Sequence, residues 1–397
     1  MNISESRIWL IKAITVTAPF EMWQLSPLPY TGITFLLLYI YLLLCAFTFH
    51  ESFSGRLFYR YSLPLLLIWA IMLATHQVYP APKTTEGVSI LRQFFFLIVF
   101  FTFALKDVTS LSSRTKDIGH YLMIAISVML MIFFFGFTSL TESIDGRRSI
   151  EGMNPNLLAI YCAIGILFLV DSLIAGNNAM SRTLPHFMII ILLAGSFIAL
   201  ALSGSRGGLV ILGSGLLVYF LTGTRLSKNT LFISLIFFLI IIVATWGISS
   251  SGVVAKRLAH MQDDIRLTII WPAALKFIMH YPLFGGGLDQ MYIAISRAVG
   301  GIAIAPHNEY LKILGGSGMI GFGFFLVFLG RLLINAFRYR QSSGSGLYIA
   351  LWLMIVLYLS KGGGALQLPL VWLIFLLLST NNNNLQSCDE QKPSHPS

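Results

Sequence analysis

The sequence predicts an all-α polytopic membrane protein with about 12 transmembrane helices and one large periplasmic loop that contains short helices. Of its 397 residues, 56% are hydrophobic and only 11% are charged, whereas a soluble domain averages about 25% charged residues. The hydrophobic residues form long runs, and about 20 of them suffice for a helix to cross the hydrocarbon layer. Runs such as 231–245 do not alternate in polarity as the strands of a membrane barrel do.

Hydrophobicity along the chain indicates the position of each span. Lys12, Pro19 and Glu21 interrupt the first span, and a tight turn around Ser203–Gly208 joins the seventh to the eighth. Twelve candidate spans lie at roughly 8–24, 31–50, 61–79, 88–105, 118–137, 154–175, 184–203, 207–223, 231–249, 315–337, 346–361 and 366–380.

The spans divide the chain into four parts. Residues 1–250 hold the first nine helices, 251–314 form a loop with amphipathic helices, and 315–380 hold the last three helices. The tail, 381–397, is polar, begins with four asparagines and is expected to be disordered.

The short loops set the orientation through the positive-inside rule. Alternate loops are rich in Lys and Arg, which predicts that both termini are cytoplasmic and that loop 251–314 is outside, in the periplasm of a bacterial inner-membrane protein. The predicted cytoplasmic loops carry Arg56, Arg60, Lys106, Arg114, Lys116, Arg182, Arg225, Lys228, Arg331, Arg338 and Arg340, and the short outer loops carry Lys83, Arg147, Arg148, Arg206 and Lys361. The formal net charge of +10 is therefore interpreted as a topology signal and not as affinity for nucleic acid.

Arg206 stands out at the outer end of a hydrophobic helix, in the turn 203–208, Ser-Gly-Ser-Arg-Gly-Gly. Glycines allow close backbone approach, free amides at a helix start favour an anion, and the guanidinium fork suits phosphate. An ordinary interfacial arginine that reaches lipid headgroups remains the alternative.

Arg266 opens a predicted amphipathic helix that runs toward Met279, with Pro272 expected to kink it or to end a first short turn. Its predicted apolar face is formed by Ile265, Ile269, Ile270, Ala273, Ala274 and Phe277. The segment is either a lid over an active site or an interfacial anchor in which Arg266 pairs with Asp264.

His307 lies in the run 306–311, Pro-His-Asn-Glu-Tyr-Leu, just before the chain re-enters the membrane. Pro306 suits the first position of a helix, which would place His307 in the first turn. The positive end of the helix dipole would keep its imidazole neutral and available as a base. A purely structural histidine remains the alternative, and the neighbouring Asn308 is a predicted substrate-binding residue.

Four further cations are candidate substrate-binding residues. Arg92 lies in an apolar stretch, where a buried ion pair or a lipid phosphate would explain it. Arg147 and Arg148 belong either to a solvated loop surface or to a route for anionic lipid, and Lys361 is an outer cation beside three glycines.

Several catalytic patterns are missing from the sequence. It has no carboxylate-x-carboxylate pair, no His/Cys cluster with metal spacing, no phosphate-binding Walker loop and no Gly-x-Ser-x-Gly. Outward cations and one histidine above a hydrophobic bundle remain, and they suit a lipid-linked phosphate or pyrophosphate. No metal or other cofactor is needed in this interpretation.

The chain resembles the O-antigen ligase and O-antigen polymerase superfamily of bacterial envelope glycan transferases. The resemblance rests on the turn 203–208, on Arg266 and Trp271 followed by Tyr-Pro-Leu-Phe-Gly-Gly-Gly at 281–287, and on the run 306–311, which leads to Gly318 and Gly321. It implies a GT-C-like fold and a metal-independent glycosyltransferase.

The resemblance also implies substrates and roles. The donor would be an undecaprenyl-pyrophosphate-linked glycan and the acceptor lipid A–core, within a membrane and without nucleic acid. Arg206 and Arg266 would hold the pyrophosphate, and His307 would activate or orient the acceptor hydroxyl. Polymerases of this superfamily often have a glycine eleven residues after an outer arginine. No outer arginine here has one, which favours the ligase. A protein O-oligosaccharyltransferase and a lipid-linked glycan transporter also stay open as functions.

Overall fold

The computed structural model describes residues 3–21, 32–79, 85–109, 115–136, 140–142, 148–150, 153–175, 185–223, 265–301 and 305–380. The ninth predicted span, the part of the predicted loop at 251–264 and the polar tail lie outside these ranges. Their predicted structures therefore stay predictions.

Helices dominate the first half of the described chain. A π-helical turn, Phe58–Ser62, joins α4 to α5. The helices are α1 (Ile3–Thr17), α2 (Ile33–Phe47), α3 (Phe49–Ser52), α4 (Gly55–Leu57), α5 (Leu63–Val78), α6 (Thr85–Thr109) and α7 (Thr115–Phe135). The first predicted span, 8–24, is misplaced because α1 begins at Ile3 and gives way at Ala18 to a 3-10 turn that contains Pro19.

A small antiparallel hairpin follows α7, which the all-α prediction did not include. Its strands, β1 (Leu140–Glu142) and β2 (Arg148–Ile150), pair Thr141 with Ser149. Ser149 and Ile150 are buried, and β2 packs on α7 and α8. The hairpin is therefore a small cover at one end of the helical bundle.

The second half returns to helices, two of which lie in the segment 265–301. A π-helical stretch, Arg266–Ile270, leads directly into α11. The helices are α8 (Pro155–Ala175), α9 (His186–Leu202), α10 (Arg206–Thr222), α11 (Trp271–His280), α12 (Leu288–Ala298), α13 (Glu309–Ser343), α14 (Leu347–Lys361) and α15 (Pro369–Ser379).

Within the described ranges, five helices are long and apolar enough to cross a membrane. They occupy Gly55–Val78, Gly87–Thr109, Ile118–Phe135, Pro155–Ile174 and Glu309–Ser343, and shorter apolar helices of 10–17 residues accompany them. This is the architecture of an all-α membrane protein. The predicted number of about twelve spans goes beyond what these helices establish.

The bundle is built around α15. Every residue of this helix is buried, and Trp372 at its centre packs against Phe94, Phe101 and Phe375. A helix that is hydrophobic on nearly all sides suits either lipid or the interior of a bundle, and here the other helices bury it. The neighbouring helices α6, α13 and α14 surround it.

Gly318 interrupts α13, and the glycine-rich motif at 281–287 forms hydrogen bonds with the backbone around this break. Its φ of 63° and ψ of −166° break the helix, and the motif uses the amides and carbonyls that the break sets free. Met319 N donates to Pro282 O at 2.8 Å, Ile320 N to Leu283 O at 3.2 Å, and Gly286 N to Gly315 O at 3.0 Å. Two of the motifs that carried the family resemblance are thus parts of one interlocked structure.

Candidate active site

A cavity of about 520 Å³ lies where several helix ends meet. The first residues of α8 and α10, the last residues of α14 and the segment that begins at Ile265 all contribute to its wall. Arg206, Arg266, His307 and Lys361 line it together, although they are far apart in the sequence. Apolar side chains form much of the remaining wall, namely Leu157, Ile160, Ile211, Ile265, Ile270 and Leu368.

Arg206 is the first residue of α10, and the tight turn predicted before it is present. Ser205 caps the helix through its Oγ, which accepts from Gly208 N at 3.2 Å and donates to Asn156 Oδ1 at 2.9 Å. This cap joins the start of α10 to the start of α8. Arg206 is half-buried, so its guanidinium lies at the positive end of α10 with a restricted range of positions.

Lys361 ends α14 and lies across the backbone of Gly207. A β-carbon at Gly207 would fall 2.7 Å from Lys361 Cδ and 2.8 Å from its Nζ, distances that atoms in contact do not tolerate. Only glycine allows the ammonium group to lie beside the first turn of α10. Arg206 and Lys361 therefore bring two positive charges to neighbouring points of the wall.

Arg266 begins the π-helical stretch before α11, and Pro272 lies in the first turn of α11. The apolar face differs from the predicted one. Ile270, Ala274 and Phe277 are buried, but Ile265 and Ile269 are exposed, because the wider π-helical turn rotates the residues before Trp271 away from the bundle.

Trp271 fastens this segment to the histidine. Its indole Nε1 donates to Pro306 O at 2.9 Å, so the residue that precedes His307 is tied to the helix that follows Arg266. The hydrogen bond fixes the two sides of the cavity relative to each other.

The structure corrects the predicted helix position of His307. The helix does not begin at Pro306, because Asn308 Oδ1 accepts from the amides of Tyr310 and Leu311 at 3.0 and 3.2 Å and caps α13 two residues later. His307 lies before the cap, exposed, with a φ of 49°. It is the one non-glycine residue with positive φ in the described ranges, a conformation that costs roughly 1–2 kcal/mol.

Two contacts support the backbone and ring of His307. The imidazole Nδ1 lies so close to Gly363 that a β-carbon there would collide with it. Glu309, which begins α13, accepts through Oε1 from Ala365 N and Lys312 Nζ, both at 2.9 Å. The start of α13 is thereby joined to the residues after α14, and His307 is held between them.

Three predicted substrate-binding residues are not among those that line the cavity. Arg92 is exposed on α6, Arg148 is exposed on β2, and the amide oxygen of Asn308 serves as the helix cap. Arg147 lies outside the described residues. The assignment of these four residues to substrate binding stays a prediction.

The cavity also contains polar residues that the sequence interpretation did not select. Asn154 and Asn156 flank Pro155 at the start of α8, with Asn156 N donating to Asn154 Oδ1 at 2.8 Å, and Tyr358 lies on α14 three residues before Lys361. An Asn-Pro-Asn sequence before an apolar run is a helix-start signal that could have identified the first two. Tyr358 lies inside an apolar run, where no local pattern distinguishes it.

The electrostatics of the cavity favour an anion. Arg206, Arg266 and Lys361 supply three positive charges, and the N-terminal ends of α8 and α10, the positive ends of their helix dipoles, lie at the same cavity. No Asp or Glu lines the cavity within the described part of the chain. A phosphate-bearing ligand with an apolar portion matches both the charge and the apolar wall.

Comparison with known families agrees with this geometry. Residues 188–326 match the family described as O-antigen ligase, a region that contains Arg206, Arg266 and His307. The comparison with curated proteins gives no match. This part of the chain is thus similar to the O-antigen ligase family.

Proposed function

We propose, with the relation of residues 188–326 to the O-antigen ligase family as the premise, that this protein is an O-antigen ligase. It takes a glycan from an undecaprenyl-pyrophosphate carrier and joins it to lipid A–core at the periplasmic face of the inner membrane. The observation that carries the proposal is the meeting of Arg206, Arg266, Lys361 and His307 in one cavity with an apolar wall.

The cations bind the donor. Arg206 and Arg266 hold the pyrophosphate through paired N–H donors, and Lys361 adds a point charge beside the first turn of α10. The positive end of the α10 dipole adds to this field. As the bond to the sugar breaks, negative charge grows on the phosphate oxygen, and fixed positive groups stabilise that charge most strongly at this stage.

His307 serves the acceptor. A hydroxyl oxygen of the acceptor sugar attacks the anomeric carbon and forms the new C–O bond. The old bond between that carbon and the pyrophosphate oxygen breaks, and its electron pair stays on the pyrophosphate. The hydroxyl proton passes to the imidazole of His307, which is exposed and can release it to water.

A transfer assay with the purified chain tests the proposal. Undecaprenyl-pyrophosphate glycan and rough lipopolysaccharide are mixed with the protein, with and without a chelator, and the products are separated on a gel. Glycan that appears on lipid A–core in both conditions supports a metal-independent ligase. Glycan that lengthens on the carrier identifies a polymerase, and loss of activity with the chelator contradicts the metal-free mechanism.

An acceptor of a different class would change the enzyme's assignment. The same assay with a protein acceptor in place of lipopolysaccharide tests for O-oligosaccharyltransferase activity. A carrier-linked glycan that crosses the membrane of a vesicle without any transfer supports a transporter instead.

A further inference from the structure

Tyr358 is buried but has a hydroxyl without a hydrogen bond. The residue is 6% exposed and lines the cavity, and no hydrogen bond of this hydroxyl is found within the described residues. Some buried tyrosines are paired, such as Tyr41 with Asp107 at 2.8 Å and Tyr219 with Asp171 at 2.9 Å. Tyr358 lines the cavity, so a ligand oxygen there can accept a hydrogen bond from its hydroxyl.

The surroundings of Tyr358 are polar and also lack partners. Neither carboxyl oxygen of Glu21, nor the hydroxyl of Tyr161, has a hydrogen-bond partner in the described chain. Both residues are buried, and Glu21 lies within electrostatic range of Tyr161 and Tyr358. An unpaired ionised carboxylate is costly to bury, so this environment disfavours the charged form of Glu21.

The position of Tyr358 on α14 determines which part of a ligand it meets. Lys361 is three residues further along the same helix, a spacing that puts two side chains on one face. Both residues line the cavity, so a ligand that meets Lys361 lies near Tyr358. A neutral O–H donor beside a cation suits an anionic oxygen, and a protonated carboxyl with a tyrosine stabilises a negative oxygen in the same way in another enzyme.

We infer that Tyr358 is a further donor-binding residue, whose hydroxyl donates a hydrogen bond to a diphosphate oxygen of a lipid-linked donor. This inference rests on the proposed function, because it assigns a contact within the same cavity.

Binding measurements with the full chain in lipid nanodiscs test the contact. The probes are a long-chain polyprenyl diphosphate, the corresponding monophosphate and the corresponding alcohol. Tyr358→Phe removes only the hydroxyl and is expected to weaken diphosphate binding about tenfold or more, because a hydrogen bond to a charged group is lost. Binding of the alcohol should not change.

Tyr348→Phe is the matched control. Tyr348 lies on the same helix, is 7% exposed, stacks on Tyr339 with ring centroids 3.9 Å apart and does not line the cavity. Its substitution is expected to leave the affinity for all three probes unchanged.

The outcomes separate the two proposals. Unchanged diphosphate affinity in Tyr358→Phe, or an equal loss for the diphosphate and the alcohol, overturns the contact while the proposed function stands. A wild-type protein that binds the diphosphate no better than the alcohol overturns both.

Discussion

At the scale of single residues, the cavity combines fixed cations with one base, and the geometry assigns them different tasks. Arg206 lies in a capped helix start, which restricts its guanidinium, whereas His307 is exposed in a strained backbone conformation. Strain of this kind persists only where the neighbouring structure enforces it. The contact with Gly363 and the cap at Asn308 enforce it here.

Arg206→Lys should lower kcat/KM for glycan transfer about 100-fold, since loss of one preorganised donor to a developing oxyanion has an effect of this size. Lysine keeps the charge but not the planar fork. Arg297→Lys is the control, because Arg297 is exposed at the end of α12 and is not among the cavity-lining residues. A lysine variant with more than a tenth of the wild-type value contradicts bidentate phosphate binding.

His307→Asn should abolish turnover while donor binding is kept. Asparagine tolerates positive φ better than alanine, so the substitution removes the imidazole with little backbone strain. The measurements are the rate of transfer at saturating donor and the donor affinity. A variant that transfers glycan at the wild-type rate would show that His307 is not the base.

At the scale of elements, the segment 265–301 is fastened to the bundle through Trp271, through the break at Gly318 and through Asp289, which accepts from Gly87 N. A lid and an anchor were the two interpretations of its amphipathic helix. The segment contributes Arg266 to the cavity wall and also packs its apolar face on the bundle, so one helix has properties of both.

Trp271→Phe should lower kcat several-fold with little change in donor affinity. The substitution removes the hydrogen bond to Pro306 O, and a neutral hydrogen bond contributes about 1 kcal/mol, or roughly a fivefold change in rate. Trp352→Phe is a matched control. The indole of Trp352 also donates to a carbonyl, Leu329 O, at 2.9 Å, and Trp352 does not line the cavity. Equal losses in both variants would assign the effect to general destabilisation.

Gly318→Ala should lower the thermal stability of the purified protein. Its φ of 63° disfavours a side chain, and a β-carbon would collide with the backbone of Leu283. Gly323→Ala on the same helix is the control, since a β-carbon there meets open space and alanine favours a helix by about 1 kcal/mol. We expect Gly323→Ala to have a Tm at or above that of the wild type, and Gly318→Ala to have a Tm clearly below that of the wild type. The reverse order would remove the structural role of the break.

At the scale of the whole molecule, a buried ion pair joins the first helix to the bundle. Arg7 on α1 donates from Nε and Nη2 to Asp107 on α6 at 3.1 and 3.0 Å, and Tyr41 donates to the same carboxylate at 2.8 Å. The pair lies at the opposite end of α1 from Glu21. No local pattern connects residues so far apart along the chain, so the pair could not be predicted.

Arg7→Met should destabilise the fold by about 3–5 kcal/mol, because it leaves a buried carboxylate without its cation. The double substitution Arg7→Met with Asp107→Asn should recover most of that loss, since no buried charge remains. Unfolding in detergent as a function of denaturant measures both variants. A single variant as stable as the wild type would show that the pair contributes nothing.

Sequence predicted the bounds of most helices better than the arrangement of the helices around the bundle. Hydrophobic runs gave the bounds of most described helices to within a few residues, and four residues predicted on the outer side meet in one cavity: Arg206, Arg266, His307 and Lys361. Arg148, also predicted on the outer side, does not line the cavity, and neither does Arg92. The order of helices around a bundle depends on packing between distant segments, which local periodicity does not encode.

The apolar wall beneath the cations has a kinetic consequence. A ligand that contacts both the apolar wall and the cations is held in the bilayer by its hydrocarbon portion. It therefore reaches the protein by diffusing in two dimensions. The quantity that governs saturation is then the mole fraction of donor among the membrane lipids, and diluting the whole suspension with buffer leaves that fraction unchanged. Adding inert lipid to the same vesicles lowers it, so the composition of the membrane regulates turnover.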